Sequence, residues 1–366
     1  MDIDILKLAC SEIEKELAAD PTLILNESEL QAILQLKLLQ LLPEQLPATL
    51  ASGTLKRGHH PELFVPRVFR ELKLDAGRAA VEADIVVLTN SAQRVVPKAN
   101  GAPKGFRGPF AAIIETKIDT PMAQLLAGAA GPSALKAVQA DFKKWETHLG
   151  TGLIPFMFSV ILTPRPERYA NQSNILAIRH CADGVKDWQS VSPELNAQNR
   201  NVAKNAATAA TLILHAHHKQ FPLSLLREKD FETRLLADLR QACTWRSALR
   251  MPNGRIVQAS PVRSQWTGSW ADLLGMRRRH DIVVLRADGL GLHTELELKT
   301  SHSDSHNWFR KAEVEGEMRA IQTLIQRGAL DHGAFVMYRY GKAMWSADAN
   351  ALASRYKSVD FQYFCA

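Results

Sequence analysis

Cysteine is scarce and scattered. Cys10, Cys181, Cys243 and Cys365 are the only four in 366 residues, and none forms a C-x-x-C pair. That spacing argues against a zinc site or a disulfide framework and predicts reduced thiols, as in a cytoplasmic protein. Long apolar runs are missing too. The longest, Leu153 to Leu162, is bounded by Pro155 and Pro164, a strand's worth against the roughly 18–20 residues a membrane-spanning helix needs. The opening Met1-Asp2-Ile3-Asp4 is acidic, with no basic stretch leading into an apolar one, so neither a secretory leader nor a membrane association is expected. A G-x-x-x-x-G-K-[ST] motif is absent, which excludes a P-loop motor in the chain itself.

What is present is ordinary globular material, 46% hydrophobic and 23% charged, enough for two cores. The net charge of +7 points toward a polyanionic partner, and its placement says more. Residues 94–107 carry Arg94, Lys98, Lys104 and Arg107 without an acid, and Arg277-Arg278-Arg279 runs up to His280. Lys98, Lys104, Arg107 and the three arginines are candidate phosphate-positioning residues.

The chain also repeats itself. Asp84-Ile85-Val86-Val87-Leu88 recurs as Asp281-Ile282-Val283-Val284-Leu285. Each copy is followed by an apolar run with an acid, one spacer and a lysine: Glu115-Thr116-Lys117, then Glu297-Leu298-Lys299. Residues two apart share a strand face, so each Glu and Lys point the same way and the preceding Asp can converge on them. Two carboxylates with a backbone carbonyl make a hard, oxygen-only site suited to Mg²⁺ or Mn²⁺. Such an ion orients water and stabilises a leaving alkoxide in phosphodiester hydrolysis. Two flanking carboxylates favour the protonated form of the lysine, a better neutraliser of phosphoryl charge than a general base.

Periodicity organises the rest. Amphipathic helices are expected over Asp4 to Ala19 and from an Asn26 N-cap to Leu42. A first α/β unit then has a short helix near Val65 to Leu74, strands at Asp84 to Leu88 and Ala111 to Lys117, a helix from Ser133 to Leu149 and a strand at Phe156 to Leu162. A join follows, with a connecting helix over Val202 to His218. The second unit repeats the order: helix Leu225 to Ala242, strands Ile282 to Arg286 and Leu292 to Lys299, helix Trp308 to Arg327, strand Ala334 to Tyr340. Helix-then-strand after each Glu-x-Lys strand predicts a parallel crossover. The expected division is a helical segment 1–50, one unit at 51–165, a linker at 166–222 and a second unit at 223–366. Residues 85–114 separate Asp84 from Glu115, against only 282–296 in the second copy, so an insertion is expected in the basic loop 90–108. Other polar clusters read more plainly. His215, His217 and His218 are split between helix faces and read as exposed. His302 and His306 are loop residues, and Trp266, Trp270 and Trp308 are packing aromatics.

The doubled constellation resembles the PD-(D/E)xK nuclease superfamily over about 60–160 and 225–340. The resemblance implies two restriction-endonuclease-like α/β domains, each a mixed sheet flanked by helices. It implies metal ligands Asp84 and Glu115 with Lys117, and Asp281 and Glu297 with Lys299. It also implies an accessory acid from the preceding helix, Glu62 in the first unit and Glu232 in the second. Ala83 and His280 stand where the motif's proline would be. Carried further, the resemblance implies DNA as substrate, Mg²⁺ or Mn²⁺ as cofactor, and a role in restriction or anti-phage defence. A separate helicase or ATPase is then a candidate partner. Two fused centres could cut both strands of a duplex. A nucleic-acid-binding scaffold with one or both folds inactive, or an RNA-directed phosphodiesterase, fits the same residues.

Overall fold

The computed structural model describes residues 3–50, 63–75, 80–91, 93–97, 103–106, 110–129, 131–150, 154–188, 197–220, 227–251, 254–266, 279–289, 291–301, 311–339 and 346–365. They form a mixed α/β architecture with two five-stranded mixed sheets, a four-stranded sheet and a two-stranded ribbon. No helix among the described residues is long and apolar enough to cross a membrane.

The first half opens with a helical hairpin. α1 (Ile3–Ala19) buries Leu6, Ala9, Ile13 and Leu17, the spacing of one helix face. α2 (Glu27–Leu41) starts where the Asn26 side chain accepts the Glu29 amide at 2.9 Å, capping an otherwise orphan donor. A hairpin of β1 (Gln45–Leu50) and β2 (Leu63–Pro66) follows, then β3 (Val68–Asp75) and β4 (Ala80–Leu88). After β5 (Gln93–Pro97) and β6 (Pro103–Phe106) come β7 (Phe110–Ile118), α3 (Met122–Leu126), α4 (Leu135–Gly150), β8 (Met157–Thr163) and β9 (Ile175–Arg179).

The second half repeats this. It runs α5 (Ala197–Gln220), α6 (Glu228–Ala242), the β10 (Ser247–Arg250) and β11 (Ile256–Ala259) hairpin, then β12 (Val262–Trp266), β13 (His280–Leu285) and β14 (Leu292–Ser301). α7 (Lys311–Gln326), β15 (Leu330–Arg339), α8 (Ser346–Arg355) and β16 (Val359–Cys365) complete it. The sheets are ordered β3-β4-β7-β8-β9 and β12-β13-β14-β15-β16, each with two antiparallel pairings followed by two parallel ones. Even the register breaks agree, between Val87 and Leu88 and between Val284 and Leu285. The parallel β7–β8 and β14–β15 pairs, joined through α4 and α7, are the expected crossovers. The duplication therefore extends beyond the two motif-bearing units. α1 and α2 are the counterparts of α5 and α6, so the connecting helix opens the second repeat.

Several segments differ from the sequence expectation. Residues 65–74 are strand, not helix: Pro66 ends β2, and β3 pairs antiparallel along β4. The basic insertion contains the β5–β6 hairpin, and β5 joins β1 in parallel. In the second repeat a tight turn does this job. Gly289 sits there at φ +64°, and a side chain would meet the Ala248 carbonyl. β1, β9 to β12, β16, α3 and α8 were not expected. β1 places strand within residues 1–50, and the first five-stranded sheet continues beyond residue 165 to β9.

The repeats meet at α2 and α6, which pack on each other, with α2 against β12 and α6 against β3. The contacts are reciprocal. The Ser264 amide of β12 donates to Glu29 of α2 at 3.4 Å, and the equivalent Arg70 amide of β3 donates to Asp230 of α6 at 3.4 Å. Two fully buried ion pairs cross the same seam, Arg263 to Glu29 at 3.3 Å and Arg70 to Glu232 at 3.1 Å.

Candidate active sites

Each site begins with the aspartate. Asp84 Oδ2 accepts the Thr116 amide at 2.7 Å and its hydroxyl at 3.0 Å. Asp281 Oδ2 accepts the Leu298 amide at 2.9 Å. Thr116 and Leu298 are the spacers of the two Glu-x-Lys motifs. The same bond in both repeats thus pins Asp84 beside Glu115 and Lys117, and Asp281 beside Glu297 and Lys299.

Acids from two helices close around each lysine. Lys117 Nζ lies 3.0 Å from Asp141 of α4 and 3.4 Å from Glu27, the first residue of α2. Lys299 Nζ lies 3.4 Å from Glu297, 3.8 Å from Glu228, the first residue of α6, and 3.9 Å from Glu317 of α7. Asp141 and Glu317 occupy the same position along their crossover helices. Burial opposes charge on both amines. Around Lys117 the acids Glu27, Asp84 and Asp141 outweigh it; around Lys299, Glu228, Asp281 and Glu297 do so, and both pKa values are raised.

The carboxylate values also rise, which favours their neutral form. Burial, then repulsion from Asp84, pushes Glu115 up to about 7. Burial, then Glu297 and Glu232, pushes Asp281 up to about 7, and burial with Asp281 lifts Glu228 to about 8. Such crowded hard oxygens are what a small divalent cation neutralises, so the donor set fits Mg²⁺ or Mn²⁺. Among the described residues no three His, Cys, Asp or Glu side chains are grouped to hold an ion unaided. Each site offers two carboxylates, and Mg²⁺ bound through one or two carboxylates keeps several of its waters.

A strained residue faces each aspartate. Glu71 and Gln265, at φ 50° and 49°, are the only non-glycine positive-φ positions among the described residues. Register places Glu71 between partners of Ala83 and Ile85, opposite Asp84, and Gln265 correspondingly opposite Asp281. Left-handed backbone costs roughly 1–3 kcal/mol at such residues. Gln265 Nε2 donates to both Asp281 at 2.9 Å and Glu232 at 3.1 Å. The second site therefore has a helix Glu and a strand Gln. The first has the reverse at the same positions, Gln31 on α2 and Glu71 on β3.

Glu232 is fully buried and shares the Gln265 amide with Asp281; its Oε2 also takes Lys229 at 2.8 Å and Arg70. Glu228, one turn earlier, is the helix acid against the lysine. Glu62 lies outside the described residues, as do Lys98, Arg107, Arg277, Arg278, His302, His306, Trp270 and Trp308. Lys104 falls on β6 with its side chain outside them, and Arg279 is exposed beside the second site. His280, in place of Ala83, meets Glu295 at 2.8 Å. His215 is half-buried and stacks on Phe364 at 4.3 Å rather than standing free, because α5 packs on the second sheet. Trp266 packs against the second core. Sequence reading missed Glu27, Glu228, Asp141, Glu317, Glu71 and Gln265. The available signal was position: an acid opening the helix before each sheet, and an acid midway along each crossover helix.

No known protein family matches the chain, and no characterised protein matches it either.

Proposed function

We propose that the chain is a metal-dependent DNA endonuclease with two PD-(D/E)xK-type centres on restriction-endonuclease-like domains. One observation carries this reading. In both repeats the aspartate is bonded to the spacer amide of the Glu-x-Lys strand, so an Asp, a Glu and a Lys converge twice. Asp84 with Glu115, and Asp281 with Glu297, would hold Mg²⁺ or Mn²⁺. The ion, when bound, supplies an oriented water and polarised phosphoryl oxygens.

The remaining work belongs to the chain. Lys117 and Lys299, kept protonated by the acids around them, present an ammonium to the scissile phosphate and neutralise charge developing on its oxygens. Glu27 with Asp141, and Glu228 with Glu317, fix where that ammonium stands. A role in restriction or anti-phage defence, with a helicase or ATPase licensing cleavage, belongs to the same reading.

The test is supercoiled plasmid with Mg²⁺ or Mn²⁺ and a chelator control, with an RNA competitor in a parallel arm. Metal-dependent conversion to linear product is expected. Cleavage that persists in the Lys117→Ala/Lys299→Ala double variant would falsify the proposal, and preferential cutting of RNA would reassign the substrate. A second reading has one observation in its favour. Glu115 Oε1 already accepts Trp145 Nε1 at 2.7 Å with Lys144 at 3.4 Å, as in a repeat that binds without cutting. Nicked circles alone, unchanged by Lys117→Ala, would select it.

A further inference from the structure

The two repeats treat one patch of core in opposite ways. In the first, α1 packs on β9, and Leu6 and Ile3 belong with Phe158 and Leu176 to one continuous apolar core. Strand register fixes the counterparts: Ile114 pairs with Phe158 as Leu296 pairs with Ala334, and Val160 with Leu176 as Val336 with Gln362. Helix position matches Leu6 to Ala207 and Ile3 to Lys204, since α1 and α5 stand equally far from the helices they precede. So Leu6 becomes Ala207, Phe158 becomes Ala334, Ile3 becomes Lys204 and Leu176 becomes Gln362. Two large side chains are removed and two apolar ones made polar, all at one spot.

The result is a cavity of about 480 Å³ between α5 and the β14–β16 end of the second sheet. That lies within the roughly 300–1,000 Å³ of small-molecule sites. Its wall carries Lys204 and Lys357, both exposed and, among the described residues, without an ion-pair partner. His332 and the buried Thr294 also line it. Gln362 donates its amide to Asp360 at 2.9 Å, while its buried Oε1 has no partner. Asp360 is the one carboxylate among the residues lining the cavity. Burial and the Lys204 charge lower the His332 pKa, leaving a neutral ring that can donate one hydrogen bond and accept another.

We propose that this cavity binds a small phosphorylated ligand of about nucleotide size. Lys204 and Lys357 hold the phosphate, and Gln362, on the cavity wall, packs beside the remainder of the molecule. The cavity lies on the opposite face of β14 from Glu297 and Lys299, because Thr294 and Leu296 alternate with those residues. It needs no metal and is independent of the cleavage proposal.

The test is calorimetric titration of the full chain with pyrophosphate and with ADP, in chelator so that no divalent ion takes part. Both probes should bind. The Lys204→Glu/Lys357→Glu variant should weaken binding by about tenfold or more. Ala334→Phe, which installs the first repeat's side chain, should abolish it, while Lys299→Ala should leave it unchanged. Tighter binding of ADP than of pyrophosphate would support the role given to Gln362. Absence of binding by the unaltered protein overturns the proposal. So does binding indifferent to the charge reversal, or binding lost in Lys299→Ala, which would put the probe at the candidate active site.

Discussion

The two candidate sites share a skeleton and differ in what touches the glutamate. At the first, Trp145 and Lys144 of α4 cover Glu115. At the second, the equivalent positions on α7 are Ile321 and Ala320, and the polar reinforcement falls on the aspartate instead, through Gln265 and Glu232. The common parts are Asp, Glu, Lys and an acid from each of two helices, the parts to which the proposed chemistry is assigned. The unshared parts are Trp145 and Lys144 at Glu115, the Thr116 hydroxyl at Asp84, and Gln265 at Asp281.

The largest expected effect would break the comparison at the seam. Glu29→Ala strands Arg263 and Arg240 without their buried counter-charge, and losing one partner of a buried pair costs about 3–5 kcal/mol. Chemical denaturation should show that loss; a change near zero would mean that the reciprocal contacts do not hold the repeats together. Next, Lys299→Ala should slow cleavage at the second site by about 10²–10³-fold and turn linear product into nicked circles. Lys117→Ala should do likewise if the first site is equally active. A single variant that still linearises plasmid at the normal rate rules out paired cutting.

A smaller change sharpens the contrast. Lys144→Ala gives the first site the residue of the second and removes a half-exposed cation worth roughly 0.2–1 kcal/mol. In an Asp281→Asn background, calorimetry should show Mn²⁺ binding tighten by a factor of about 1.4–5; weaker binding would mean that Lys144 supports the site. The last effect is a direction only. Glu115 and Asp281 are raised to about 7 from ordinary carboxylate values, so the native chain holds protons that the unfolded chain has lost between about pH 4 and 7. Without metal, the stability these groups contribute is full below that window and falls as pH rises through 7. Mg²⁺ should restore it at pH 8 more than at pH 6, since protons compete for the same oxygens. Thermal melts with equal Mg²⁺ gain at both pH values would contradict this.

Much of this was legible in the sequence, and the rest was hidden for identifiable reasons. Asp84-Ile85-Val86-Val87-Leu88 and its copy are central strands with no room to vary, so they still match. The flanking strands β3 and β12 do not, because Arg70 and Arg263 point charge into the seam, while Glu71 and Gln265 stand opposite the aspartates, and all four spoil the apolar alternation. Residues 65–74 therefore read as helix. The kinship of α1 and α5 was masked in the same way: Leu6 and Ile3 face a filled core, Ala207 and Lys204 a cavity. Glu27 and Glu228 stayed invisible because acids opening a helix are common for reasons of dipole and capping.

The exchanged pair, Gln31 with Glu71 against Glu232 with Gln265, has a consequence for assembly. Two identical subunits meeting about a twofold axis must present one self-complementary surface, so a residue change on one side is imposed on the other. Within a single chain that obligation lapses, and each half can place its own acid on helix or strand. Halves severed at the junction, 1–188 and 197–366, should then find each other when co-expressed, and each should prefer the other to a copy of itself.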